Sequence, residues 1–214
     1  AEDLANITHL HANPGEFPYV RGNKALDNEW YIRQEMAVSE PSAANKKVLD
    51  ILMKGVTSVG FDLKGLAKLD QASLEALLKD VCLHAIELNF SGAPDYIQIL
   101  DFLKKKQAAE NSSEAGLHAA MDYAPLAQLV RTGAADSGAT NTAALLLDAA
   151  KHYPNVDVLG VHGEDFHNAG ASIVQELGLA LAQGAEYMGT LTEAGKPADV
   201  VAHGIKFHFS VGPA

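Results

Sequence analysis

An α/β protein built on parallel strands is what this sequence predicts, and three observations predict it. Stretches close to continuously apolar, such as "VTSVGFDL" (56–63) and "VDVLGVHG" (156–163), recur along the chain. Strands buried on both faces of a parallel sheet have this character, whereas half-solvated strands alternate apolar with polar residues. Helical stretches separate them, as right-handed βαβ crossovers require. Finally, hydrophobic residues make up 48% and charged residues 20% of the 214, which suits one globular domain with a sizeable core.

The first 29 residues stand apart. "ANPGEFPYVRGN" (12–23) carries Pro14, Gly15, Pro18 and Gly22, too many breakers for a helix or central strand. Residues 1–29 are expected to form an extended N-terminal arm, and 30–214 the α/β domain. "WYIRQEM" (30–36) reads as the first strand and "SAANKKVLDILMKG" (42–55) as a helix ended by Gly55. "VTSVGFDL" is the second strand, and "DQASLEALLKD" (70–80) a helix with Asp70 as N-cap. "CLHAIELNF" (82–90) is the third strand. The helix after it runs from about Pro94, suited to a first turn, to Ala109. "ENSSEAG" (110–116) is a polar loop leading to the fourth strand, "LHAAMDYA" (117–124). "TNTAALLLDAAKHY" (140–153) is a helix stopped by Pro154, and "VDVLGVHG" the fifth strand. "GASIVQELGLALAQG" (170–184) is the last helix, capped by Asn168, and "GIKFHFSV" (204–211) the sixth strand.

Six strands with interleaved helices fit either a doubly wound open sheet or most of a (β/α)8 barrel, which needs eight strands and typically about 250 residues. An open sheet leaves two unpaired edges, so self-association is expected. The formal net charge of −11 argues against a nucleic-acid partner, which needs clustered Lys and Arg. Lys104, Lys105 and Lys106 read as a solvated helix end that favours the C-terminal dipole. No run of about 18 apolar residues suggests membrane insertion. Cys82 is the only cysteine, which excludes an intrachain disulfide and points to a reducing, cytoplasmic setting.

Chemistry in parallel α/β folds sits at the carboxyl ends of the strands. "GEDFHNAGAS" (163–172) occupies that position after the fifth strand. It contains D-x-H-x-x-G, the pattern by which some corrinoid enzymes offer a histidine to cobalt, here Asp165, His167 and Gly170. That loop normally opens a domain of several further βα units, and only 44 residues follow Gly170, so the pattern is read as coincidental. For another metal, His162, Glu164, Asp165 and His167 supply suitable ligand types, yet no distant third cluster stands out. The plain alternative is a polar strand-to-helix loop.

Several segments in fixed order carry a resemblance: "NPGEFPYVRG" then "WYIRQ", "GVTSVGFDL", "FHNAGASIVQELGLALAQGAEYM" and "IKFHFSVG". From about residue 8 to 212 the chain resembles the small, non-catalytic subunits of the methylmalonyl-CoA mutase family, within their N-terminal barrel. Catalytic subunits of that family carry W-T-I-R-Q, S-V-A-F-D-L, S-G-Y-H-M-Q-E-A-G-A and L-S-F-F-W-G in the same order. The resemblance therefore implies a TIM-type (β/α)8 barrel, incomplete here with six strands. It also implies an adenosylcobalamin-dependent isomerase, interconverting methylmalonyl-CoA and succinyl-CoA, whose catalytic (large) subunit would be the partner. The cofactor domain is not among these residues, so no cofactor bound by this chain is expected.

Aligned on the shared glycines, the catalytic Tyr-His pair falls on Glu164 and Asp165. An ionised carboxylate only accepts hydrogen bonds, so it cannot donate to a thioester oxygen, and it repels an acidic substrate. His167 comes two positions too late to replace the donor. "NKALDNE" (23–29) lacks the aromatic residue that presses on substrate, and the family's Q-N-D becomes Met121, Asp122 and Tyr123. Arg131 matches the arginine that holds the substrate carboxylate, although it reads equally well as a helix-surface charge. These four positions, Glu164, Asp165, Met121 and Arg131, thus describe a degenerate active site, with no catalytic and no metal-binding residue expected. Two alternatives stay open: an independent acyl-CoA mutase of changed specificity, and an acyl-CoA-binding or scaffold module. Ala119, Ala120 and Ala124 would leave room for a CoA chain, whereas Phe207 and Phe209 would block a central channel.

Overall fold

A computed structural model describes residues 11–22, 24–26, 29–110 and 113–211. Parts of the expected arm (1–10, 23, 27 and 28), two residues of the polar loop and the last three residues lie outside them. The chain divides into two units, Ala1–Tyr31 and Ile32–Ala214.

In the first unit the described residues form turns and no regular element. The Gly15 N–H donates to the Gly22 carbonyl at 2.9 Å, closing a loop. Gly15 adopts φ 78°, the left-handed region open to glycine, and a Cβ there would meet Ala25 at 2.9 Å.

The second unit holds six parallel strands: β1 (Arg33–Ala37), β2 (Ser58–Asp62), β3 (Glu87–Ser91), β4 (Ala119–Tyr123), β5 (Val156–His162) and β6 (Ile205–His208). Eight helices are described: α1 (Pro41–Leu52), α2 (Gln71–Leu77), α3 (Tyr96–Ala109), α4 (Pro125–Thr132), α5 (Ala139–Ala150), α6 (Glu164–Asn168), α7 (Ile173–Glu193) and α8 (Ala198–His203). Each strand pairs with its neighbour in sequence, in the order β1-β2-β3-β4-β5-β6. A doubly wound sheet reverses direction at a switch point. This order never reverses, so it is the barrel type of winding, with β1 and β6 at the edges among the described residues.

The two faces of the sheet differ in chemistry. Val59, Phe61, Leu88, Phe90, Met121 and Val161 join Val48, Leu74, Ile99, Leu103 and Leu146 of the helices in one apolar core. Phe61 and Phe90 stack at 5.4 Å between ring centroids. The opposite face is polar. Asn89 Nδ2 donates to Ser58 Oγ at 3.0 Å, and Ser58 Oγ donates to Glu87 Oε2 at 2.5 Å. Lys206 of β6 reaches Glu87 and Asn89 of β3 at 2.5 and 3.1 Å. Three strand spacings separate those backbones by about 14 Å in a flat sheet; a curled sheet brings the side chains within reach across its concave face.

Several sequence expectations need correction. Asp95, not a residue of the first turn, caps α3 by accepting from the Gln98 N–H, so Pro94 lies outside the helix. Asn168 ends α6 instead of capping the next helix. Ser172 caps α7 with a reciprocal box, its N–H bonded to Gln175 Oε1 at 2.9 Å. Gly184 does not stop α7 but lies inside it, where a Cβ would meet the Phe207 ring at 2.9 Å. That contact also puts Phe207 on the helix side of the sheet, so it does not block the concave interior. Asp70 caps α2 as expected, again with a reciprocal box. Of the lysine run, Lys106 does sit in the last turn of α3, while Lys104 lies over the Tyr153 ring at 5.6 Å.

Candidate functional site

The carboxyl ends of β4, β5 and β6 assemble a charged cluster on the concave face. β5 ends in His162, only 6% exposed, and α6 begins two residues later with Glu164. His162 Nδ1 lies 2.6 Å from Glu164 Oε1, and His162 Nε2 lies 2.8 Å from Asp122 Oδ1. Both partners are carboxylates, so satisfying both takes a ring protonated at each nitrogen. Burial opposes that charged form, but the hydrogen bonds and charges of Asp122 and Glu164 outweigh it and lift His162 to about 9. Glu164 responds in kind: burial would raise it, yet its bond to His162 holds it below the usual carboxylate value.

His208, from β6, stacks on His162 with ring centroids 4.6 Å apart and planes within 1°. Its Nε2 is 3.6 Å from Asp122 Oδ1. Burial pushes His208 below its ordinary value, and the neighbouring His162 charge adds to this against the pull of Asp122. The pair thus favours one charged and one neutral imidazole.

Backbone features make the cluster fit. Asp122 adopts φ 39°, rare for a residue with a side chain. Its carbonyl accepts from the Tyr96 hydroxyl at 3.2 Å. Tyr187 of α7 donates to the Gly160 carbonyl at 3.4 Å and accepts from the Leu126 N–H at 3.3 Å. Gly160 lies beneath the cluster: a Cβ there would come within 2.1 Å of Asp122 Oδ1 and 2.9 Å of His162 Nε2. Only glycine leaves room for both groups.

The residues singled out from sequence go to different partners. Glu164 joins the His162 cluster, whereas Asp165 Oδ2 accepts from Arg131 Nε at 2.8 Å. Met121 is fully buried in the apolar core, on the face away from the cluster. His167 Nδ1 lies 3.1 Å from the buried Glu176 Oε2, but the two are not aligned as a hydrogen bond. The D-x-H-x-x-G pattern therefore does not join its own Asp165 to His167. His208 escaped the sequence reading, although a polar residue at every second position of "IKFH" (205–208) signals a polar inner face.

Comparison with known proteins adds a family. The family described as methylmalonyl-CoA mutase matches residues 1–76 and 64–214. Among similar proteins, the methylmalonyl-CoA mutase small subunit of Porphyromonas gingivalis is 39% identical over 216 residues, covering 99% of this chain and 34% of that protein. The small subunit of Streptomyces virginiae is 30% identical over 200 residues, covering 92% of this chain and 32% of its own length. A methylmalonyl-CoA mutase of Cereibacter sphaeroides is 25% identical over 239 residues, covering 98% and 34%. The chain spans about a third of the length of these relatives.

Proposed function

The chain belongs to the methylmalonyl-CoA mutase family, and we propose that it forms the barrel part of a small, non-catalytic subunit within it. In this reading it pairs with and supports the catalytic (large) subunit of the isomerase that interconverts methylmalonyl-CoA and succinyl-CoA. Adenosylcobalamin belongs to the assembled enzyme and supplies the radical chemistry there; no residue of this chain is assigned to it.

The Arg131–Asp165 ion pair is the observation that carries the proposal. Asp165 stands where a catalytic subunit has the histidine that donates to the thioester, and an ionised carboxylate has no proton to donate. Arg131 stands where the substrate carboxylate would be held, and its Nε already serves Asp165 at 2.8 Å. The residue type thus removes the donor, and the ion pair draws Arg131 toward Asp165. Glu164, at the neighbouring catalytic position, is likewise engaged with His162. A second reading, an acyl-CoA-binding module, loses its objection from Phe207 but meets another. The Lys206–Glu87 pair crosses the concave face, and a threaded CoA chain would have to part it.

The test is turnover of methylmalonyl-CoA with adenosylcobalamin by the full-length polypeptide. No succinyl-CoA is expected from it alone, and activity is expected once the catalytic subunit is added. Turnover by the polypeptide alone would overturn the non-catalytic assignment.

A further inference from the structure

Asp122, His162 and His208 do nothing in the proposed subunit role, yet the fold goes to some length to bring them together. They come from the carboxyl ends of three adjacent strands, and one ligand-type atom of each lies within 4.8 Å of the others. Asp122 holds φ 39° at the strand end, and Gly160 leaves the space that Asp122 Oδ1 and His162 Nε2 fill. Glu164 sits behind His162, bonded to its other ring nitrogen at 2.6 Å. A metal-ligating histidine almost always has such a partner on its far nitrogen, which fixes the ring and raises its basicity.

The donor set selects the class of ion. Two imidazoles and one carboxylate suit zinc, iron, nickel or copper, whereas magnesium and calcium prefer oxygen ligands throughout. We propose that Asp122 Oδ1, His162 Nε2 and His208 Nε2 bind a divalent transition-metal ion of the zinc class, with Glu164 positioning His162.

The geometry says how the ion enters. Bonds of about 2.0–2.1 Å at tetrahedral angles hold ligand atoms about 3.3 Å apart. The present separations from Asp122 Oδ1, 2.8 Å to His162 and 3.6 Å to His208, bracket that value. The two rings are parallel, so no point lies in both planes. His208 must therefore turn about its Cβ–Cγ bond, a soft torsion, while His162 stays held by Glu164. The Nε2 proton of His162 leaves to solvent as the ion takes its place. Three protein ligands leave a fourth position to water. Among the described residues one other group of this kind exists, Cys82, His84 and Glu110, with Cys82 and His84 exposed.

Calorimetric titration of the chelator-treated full chain with zinc chloride tests the proposal, in a Cys82→Ser background that disables the other group. One zinc per chain is expected. Glu164→Gln should weaken binding about 10- to 100-fold, and Asp122→Asn or His208→Ala should weaken it further. Cobalt(II) should show the visible bands of a low-coordinate site, lost in Asp122→Asn. That variant keeps the size of the side chain, and circular dichroism checks its fold, so it decides if His208→Ala fails to fold. No zinc binding in the Cys82→Ser background, or unchanged affinity in folded Asp122→Asn, would overturn the site. Zinc binding and turnover are separate readouts, so either proposal fails without the other.

Discussion

Glu87 illustrates what the polar face asks of single residues. Burial would raise its carboxyl, but bonds from Lys206, Ser58 and Asn89 hold it below 4.5. A carboxylate depressed in the folded state stabilises the fold above its unfolded value, and that contribution is lost as pH falls through the folded value. Asp157 works the other way: burial outweighs the nearby Lys206 and holds it above 3.8. Glu87→Gln isolates the first effect. Urea denaturation of the wild type should show a stability loss below pH 4.5 that is reduced in Glu87→Gln; equal losses in both would show that Glu87 contributes none of it. At this scale the sequence was only partly legible. "GEDFHNAG" (163–170) marks the loop, and the type of each side chain limits its chemistry. Nothing local says that Asp165 turns to Arg131 and Glu164 to His162, or that Asp122 and His208 meet at His162. Those meetings depend on strand register, including the irregularity between Ala120 and Tyr123 in β4.

Elements were easier to read where they are long and strongly apolar. All six strands and the helices α1, α2, α3, α5 and α7 follow from runs in the sequence, with ends that differ by a few residues. The short helices α4, α6 and α8 did not: none has a side-chain N-cap to announce it, whereas α2, equally short, is marked by Asp70. Pro125 sits in the first turn of α4, the place proline favours, but adjoining a strand it reads equally well as a strand end. The α7 cap shows how neighbouring candidates compete. Asn168 and Ser172 are both good caps, and Gln175, three residues after Ser172, completes a reciprocal pair that Asn168 lacks. Ser172→Ala should lower stability by about 1 kcal/mol, and Asn168→Ala by less than about 0.5 kcal/mol. Thermal unfolding of the two variants checks this, and a larger loss at Asn168 would contradict the assignment.

For the α/β unit as a whole, strand order matters more than any side chain. Sequential parallel winding with a polar concave face gives the unit barrel-type architecture, with β1 and β6 at the edges among the described residues. The resemblance had already favoured that architecture over a doubly wound sheet, which composition and periodicity alone left open. Ile173, Val174, Leu177 and Leu181 of α7 and Phe209 after β6 are exposed. An apolar stripe of this kind supports association, with another copy or with a different subunit. Light scattering on the full-length polypeptide mixed with a catalytic mutase subunit separates those outcomes and tests the central proposal most directly. The account predicts a new species at the summed mass of the two polypeptides. Two species that keep their separate masses, or a small subunit that associates only with itself, would contradict it.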